Sequence, residues 1–277
     1  LLASSAASDV YKRQVLKQHE KKEKSAAYKT GVIIAGLLLI PILITFIVCL
    51  SNGGGLNTFA VVTASMLLVA AMTVVPLMAQ QKKLTKCIIC GVFALLLIFF
   101  FVDRMYSSNE FMLWSVPTIF GLSIILFPFV IRGIELPPAL SDKKALITML
   151  WDTLWLFLTI IEVCGHTNDV AGMKAGCIIA FVFVLAAWLI FFDARYLNAN
   201  GFIKSAIIVL TASVWTAFAD DICEFLIFGT RQITIKSVNF SDWTSNICVN
   251  ANVYAIVLVS GVIIASILFV AGGIKAF

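Results

Sequence analysis

The chain has 277 residues, of which 61% are hydrophobic and only 13% charged, with mean hydropathy +1.02. A soluble domain carries about 45–50% apolar and about 25% charged residues, so a soluble enzyme, a nucleic-acid-binding module and a disordered regulator are excluded and a polytopic membrane protein remains. The net charge of +5 is then topological. Seven cysteines, an odd number scattered in apolar surroundings, do not make a disulfide framework and read as small buried hydrophobes.

The first residues stand apart. Residue 1 is Leu, and 1–14 (LLASSAASDVYKRQ) matches nothing that follows and has the character of translated adapter sequence. No positive region precedes an apolar core, so it is not a secretory signal. Residues 15–29 form a basic stretch that reads as a cytoplasmic linker, and 30–277 as the membrane domain.

Crossing a hydrocarbon core of about 30 Å takes about 20 apolar residues. Eight segments qualify: 30–50, 58–79, 87–102, 111–131, 146–164, 172–192, 203–228 and 251–273. All should be helical, because backbone groups in lipid must pair internally. The third is short and is expected to extend to Leu84 or Met105. The expected fold class is therefore all-α, eight transmembrane helices arranged as four hairpins with short outer turns such as 51–57. Asn57, Phe59 and Pro76 return 52 residues later as Asn109, Phe111 and Pro128, a weak sign of a repeated hairpin.

With eight spans both ends share one side. That side collects sixteen of the twenty Lys and Arg residues: Lys12, Arg13 and five lysines of 15–29, Lys82, Lys83, Lys86, Arg132, Lys143, Lys144, Arg195, Lys204 and Lys275. Only Arg104, Lys174, Arg231 and Lys236 fall opposite. By the positive-inside rule both termini are cytoplasmic, in a multi-pass protein of the cell membrane.

Prolines 41, 76, 117 and 128 lie inside spans and read as structural kinks rather than as the broken helices of a transport site. Ionisable groups in spans are the sharper pointer to function. Asp152 sits about two turns into the fifth span, with Trp155, Thr159 and Glu162 on its face. It is expected to pair with a helix-end Lys or a backbone donor. On the seventh, Ser213, Thr216, Asp220 and Glu224 share a face. Glu162, Asp220, Asp221 and Glu224, with Asp169, read either as hydrated helix ends or as an acidic vestibule for an extracellular cation, small ligand or cationic peptide.

Other patterns carry less. Glu162, Cys164 and His166 lack the four-ligand arrangement of a structural zinc site. Cys87 and Cys90 form a C-x-x-C that opens an apolar helix and reads as packing, while Gly172 and Gly176 form a G-x-x-x-G spoiled by Lys174. Asn239 begins a glycosylation-type triplet in the longest outer loop, 229–250. Alternating apolar and polar residues there suggest a short hairpin or an interfacial segment. With no phosphate-binding loop, zinc-protease helix or nucleophile elbow, the chain reads as non-enzymatic and without cofactor.

The basic run from Lys21, then GVIIAGLLLIPILITFIVCL and NTFAVVTASMLLVAAMTVVPLM, resembles the membrane portion of Cro/C1-type (XRE-like) helix-turn-helix regulators of Gram-positive bacteria. The resemblance extends in style over about residues 15–164 and implies a sensor or anchor in the lipid bilayer, open to homo-oligomer formation. Residues 15–29 are too few for a DNA-binding domain, so contact with DNA is expected only through a domain preceding Val15. The competing expectation is a cation- or proton-coupled transporter built on Asp152 and the outer acids.

Overall fold

The structure, a computed structural model, describes residues 2–52 and 56–274, with side chains from Ala26 onward. The tip of the predicted turn 51–57 and Lys275 lie outside the described residues. Helices occupy nearly everything: α1 (Leu2–Ser51), α2 (Asn57–Met78), α3 (Lys83–Tyr106), α4 (Phe111–Gly133), α5 (Lys144–His166), α6 (Val170–Tyr196), α7 (Gly201–Phe228) and α8 (Asn246–Ile274). Among the described residues there is no strand, and eight helices are long and apolar enough to cross a membrane. The shortest, α2, has 22 residues, and at about 1.5 Å per residue it reaches about 33 Å.

Helix ends follow local chemistry. Asp169 caps α6, its carboxylate accepting from the Gly172 N–H at 2.8 Å. Asn200 caps α7 by accepting from the Ile203 N–H at 3.0 Å. Gly229, at φ +74°, takes the left-handed conformation that stops α7. Lys82, Ser107, Asn109 and Asn168 also have positive φ and tighten the connections around α3 and between α5 and α6. The third span reaches both Leu84 and Met105, as its shortness predicts. All four prolines sit inside unbroken helices. The basic stretch 15–29 belongs to the same helix as the first span, with no break at residue 30.

Two compact units divide the chain, Leu1–Trp155 and Leu156–Phe277, the boundary falling within α5. In the first, α2 packs against both α1 and α3, and α3 against α4. In the second, α7 packs against both α6 and α8.

Burial is inverted relative to a soluble domain. The buried positions are small: Ala64, Ala71, Ala94, Ala206, Ala217 and Ala265 are at most 2% exposed. Large side chains such as Phe93, Ile125, Ile263, Ile267 and Val270 face outward at 55% or more. Small residues let helix backbones approach closely where burial of apolar surface supplies little drive, as in lipid. The same economy explains the glycines. Gly133 lies against Thr85 and Gly261 against Ser213, each leaving no room for a methyl group.

The cysteines are all free. Cys49 and Cys223 are buried as the sequence predicts, but Cys90 is exposed and the others are half-buried. Cys90 is exposed on α3, as are Ile89 and Phe93 of the same helix, so it is not a core element.

Candidate functional site

Asp152 is half-buried on α5. Its partner is neither a lysine nor a backbone donor but a side chain of α4: the Ser123 hydroxyl, itself 6% exposed, donates to Asp152 Oδ1 at 2.8 Å. The Phe120 carbonyl lies 3.0 Å from the same hydroxyl and is an alternative acceptor. One turn of α4 further on, Phe127 stacks on Trp151 with ring centroids 4.8 Å apart and planes 10° from parallel. Ser123, Phe127 and Trp151 contribute to the wall of a cavity of about 290 Å³, completed by apolar residues of α3 and α4. Ser123 thus joins an apolar cavity on one side to a carboxylate on the other.

The remaining acids belong to the second unit and do not act alike. Asp221 is 8% exposed, and both its oxygens accept from the Thr234 N–H, at 3.0 and 3.1 Å; the Thr234 hydroxyl also donates to it. It therefore fastens the 3-10 turn Thr234–Ser237 to α7. Asp220, its neighbour, is exposed and lies beside the Tyr254 hydroxyl of α8. Asp220 lines a cavity of about 230 Å³ with Thr216 and Cys223. Glu224 and Glu162 are half-buried on α7 and α5. The predicted face of α7 divides: Ser213 is buried against Gly261, whereas Thr216 and Asp220 line the cavity. Asp169 is the cap of α6. Among the described residues no group of three or more His, Cys, Asp or Glu side chains is placed to hold a metal ion.

Two polar residues with defining roles were not singled out from sequence. Asp103 is 6% exposed at the end of α3, accepting from the Ser108 hydroxyl at 2.8 Å and the Glu110 N–H at 2.7 Å, which folds the chain into α4. Asn252 on α8 is fully buried. Its Oδ1 accepts from the Asn239 N–H at 2.8 Å, and its Nδ2 donates to the carbonyls of Asn239 at 2.8 Å and Asp242 at 3.1 Å. Their signal was a polar residue at the edge of an apolar run, where such residues often bond the connecting backbone.

Asp221 and Asn252 together hold the connection between α7 and α8. It contains the 3-10 turn and tight turns, not the hairpin that its alternation suggests. The backbone groups a second strand would pair are partly satisfied by these two side chains instead.

Within the same connection, Asp242 accepts from the Thr244 N–H and hydroxyl at 2.9 and 2.8 Å and from the Ser245 N–H at 3.3 Å. The bonds to Thr244, backbone first, then that to Ser245, hold its carboxyl below the usual carboxylate range. A lowered folded-state pKa stabilises above the unfolded value, about 3.9 for Asp, and that stabilisation is lost as pH falls through the lowered value. The emission of the adjacent Trp243 should therefore change only below the pH at which an ordinary Asp titrates. In Asp242→Asn this acid transition should be absent, while a transition of equal size in both proteins would reject the assignment.

Comparison of the chain with protein-family models, curated proteins and solved structures finds no match to any of them.

Proposed function

We propose that the chain is a multi-pass protein of the cell membrane, its helices paired as hairpins and both ends cytoplasmic, and that it serves as a non-enzymatic sensor or anchor. The inverted burial supports insertion: large apolar side chains outside and small ones between helices suit lipid on every face. The bias of Lys and Arg supports the orientation. The observation that carries the sensor reading is α1, which runs as one helix from the basic stretch into the first span. A continuous helix passes a shift or rotation of the bundle to whatever it joins on the cytoplasmic side. The resemblance to Cro/C1-type regulators makes that partner a helix-turn-helix domain, with DNA bound through it alone.

A second reading, a proton- or cation-coupled transporter, is favoured by the Ser123–Asp152 pair beside its cavity. Asp152→Asn separates the two. The amide oxygen can still accept from Ser123, so insertion and folding should persist, but the side chain can no longer ionise. The expected result is no Asp152-dependent proton or cation flux in proteoliposomes. Flux in the parent that disappears in Asp152→Asn would replace the sensor reading with the transporter. For the regulator itself, the reading frame upstream of Val15 should encode a helix-turn-helix in phase with α1. A frame without one there would leave the anchor without its DNA-binding partner.

A further inference from the structure

We propose that the cavity of the second unit binds an organic ammonium group, with the Asp220 carboxylate as counter-ion and the rings of Phe183 and Tyr254 as walls. This deepens the sensor reading, on which it rests, by naming the chemistry of what is sensed.

Three helices build the cavity. Ile179 and Phe183 come from α6, Thr216, Asp220 and Cys223 from α7, and Tyr254 from α8. Adjacent residues on a helix point about 100° apart, since about 3.6 residues make a turn, and this separates the two neighbouring acids. Asp221 turns to Thr234 and is spent on the α7–α8 connection, whereas Asp220 stays exposed and is the acid that lines the cavity. Tyr254 of α8 lines the same cavity as Asp220 and sets an aromatic ring with a polar tip in its wall.

A site with one carboxylate selects a cation, and its other walls decide which kind. Calcium takes about six to eight oxygen ligands and magnesium near-ideal octahedral geometry. Asp220, Tyr254 and Thr216 supply too few, and the Thr216 hydroxyl donates to the Ala212 carbonyl at 2.8 Å. An alkylated ammonium has the opposite requirements: one counter-ion, few acceptors, and aromatic or aliphatic surface for its methyl or methylene groups. Phe183, Tyr254 and Ile179 supply that surface. The volume, about 230 Å³, is below the roughly 300–1,000 Å³ of sites for drug-sized ligands and suits a small ammonium head. Asp220 precedes the end of α7 at Phe228 by about 12 Å of helix. In the proposed orientation this is the outer third of the span, within reach of a lipid headgroup and of a free amine.

The test uses the purified full chain and choline chloride as probe, against sodium chloride at equal ionic strength. In a detergent without amine groups, choline should raise Tm by a few degrees in a saturable manner. The rise should vanish in Asp220→Asn, weaken in Phe183→Leu, which removes the ring yet keeps an apolar side chain, and survive in Asp142→Asn, an exposed acid in the connection before α5. Nanodiscs of phosphatidylglycerol, with or without phosphatidylethanolamine, distinguish the sources. A headgroup ligand stabilises only the mixed discs and leaves choline nothing to add there, while a free amine acts in both. No saturable shift in the parent, or an equal one in Asp220→Asn, overturns the site and leaves the sensor reading standing. Choline binding accompanied by choline flux in proteoliposomes supports the site and overturns the sensor reading instead.

Discussion

Gly261→Leu is expected to leave little folded protein. Gly261 sits where α8 crosses α7, and even the first carbon of a side chain would overlap the Oγ and Cβ of Ser213. Neither element can yield cheaply. The Ser213 hydroxyl is committed to the Val209 carbonyl at 2.7 Å, and Ala206, Ala217 and Ala265 are packed at 0–2% exposure. Further along, the Asn200 amide donates to the Gly272 carbonyl at 2.8 Å and fixes the register of the two helices. Overpacking a well-filled contact costs about 1–3 kcal/mol, occasionally more. That range suits Gly261→Ala, whereas leucine forces the helices apart along their whole contact. Exchanging the pair, Ser213→Gly with Gly261→Ser, puts the same atoms back across the crossing and should recover much of what Gly261→Ser loses alone. The double variant should then be more stable than the sum of the single ones, with coupling of about 0.5–3 kcal/mol, read from Tm in detergent. A Gly261→Leu protein as stable as the parent would show that the close approach does not hold this unit together.

What could be read in advance divides along the range of the forces. Helix number and span positions depend on local apolar length, which the sequence carries directly; hence α3 reaches Leu84 and Met105 as its short core requires. The roles of individual polar residues depend on which neighbour they meet. Asp220 and Asp221 look equivalent in sequence, yet a rotation of one position sends one to a cavity and the other to Thr234. Ser123, an unremarkable residue in FGLSIILFP, becomes the partner of Asp152 only because α4 and α5 bring them together. Asn239 offers a glycosylation-type triplet, but its Oδ1 accepts from the Ser241 N–H at 3.1 Å, inside a turn held by Asn252. The alternation in 229–250 is real, but periodicity records only which residues are apolar. It does not reveal that Asp221 and Asn252 offer the backbone better partners than a second strand.

Asn252→Leu should release the connection between α7 and α8. Leucine keeps the branched outline of asparagine's four side-chain heavy atoms but is bulkier and apolar, so it removes all three hydrogen bonds of the amide and adds some overpacking at this fully buried position. It strands the Asn239 N–H and the carbonyls of Asn239 and Asp242. A buried polar group left without a partner costs about 1–3 kcal/mol. Water entering a connection with many exposed residues recovers part of that, leaving about 2–4 kcal/mol. Local opening then becomes more frequent by at least an order of magnitude, since a factor of ten corresponds to about 1.4 kcal/mol. Trypsin reads this directly, because Arg231 and Lys236 are exposed cleavage points within the connection. When opening and closing are fast relative to cleavage, the cutting rate follows the open population. Cleavage at Lys236 in the purified protein should accelerate more than tenfold in Asn252→Leu. Asn252→Asp should behave at least as badly near neutral pH: it keeps an acceptor for the Asn239 N–H but sets carboxylate oxygens against two carbonyls. Asp221→Ala should release the Thr234 end by the same reasoning, so the two sites can be ranked by which bond is cut faster, Arg231 or Lys236. Unchanged cleavage in Asn252→Leu would mean that Asp221 alone holds the connection, and the buried amide would then serve only to fill space on α8.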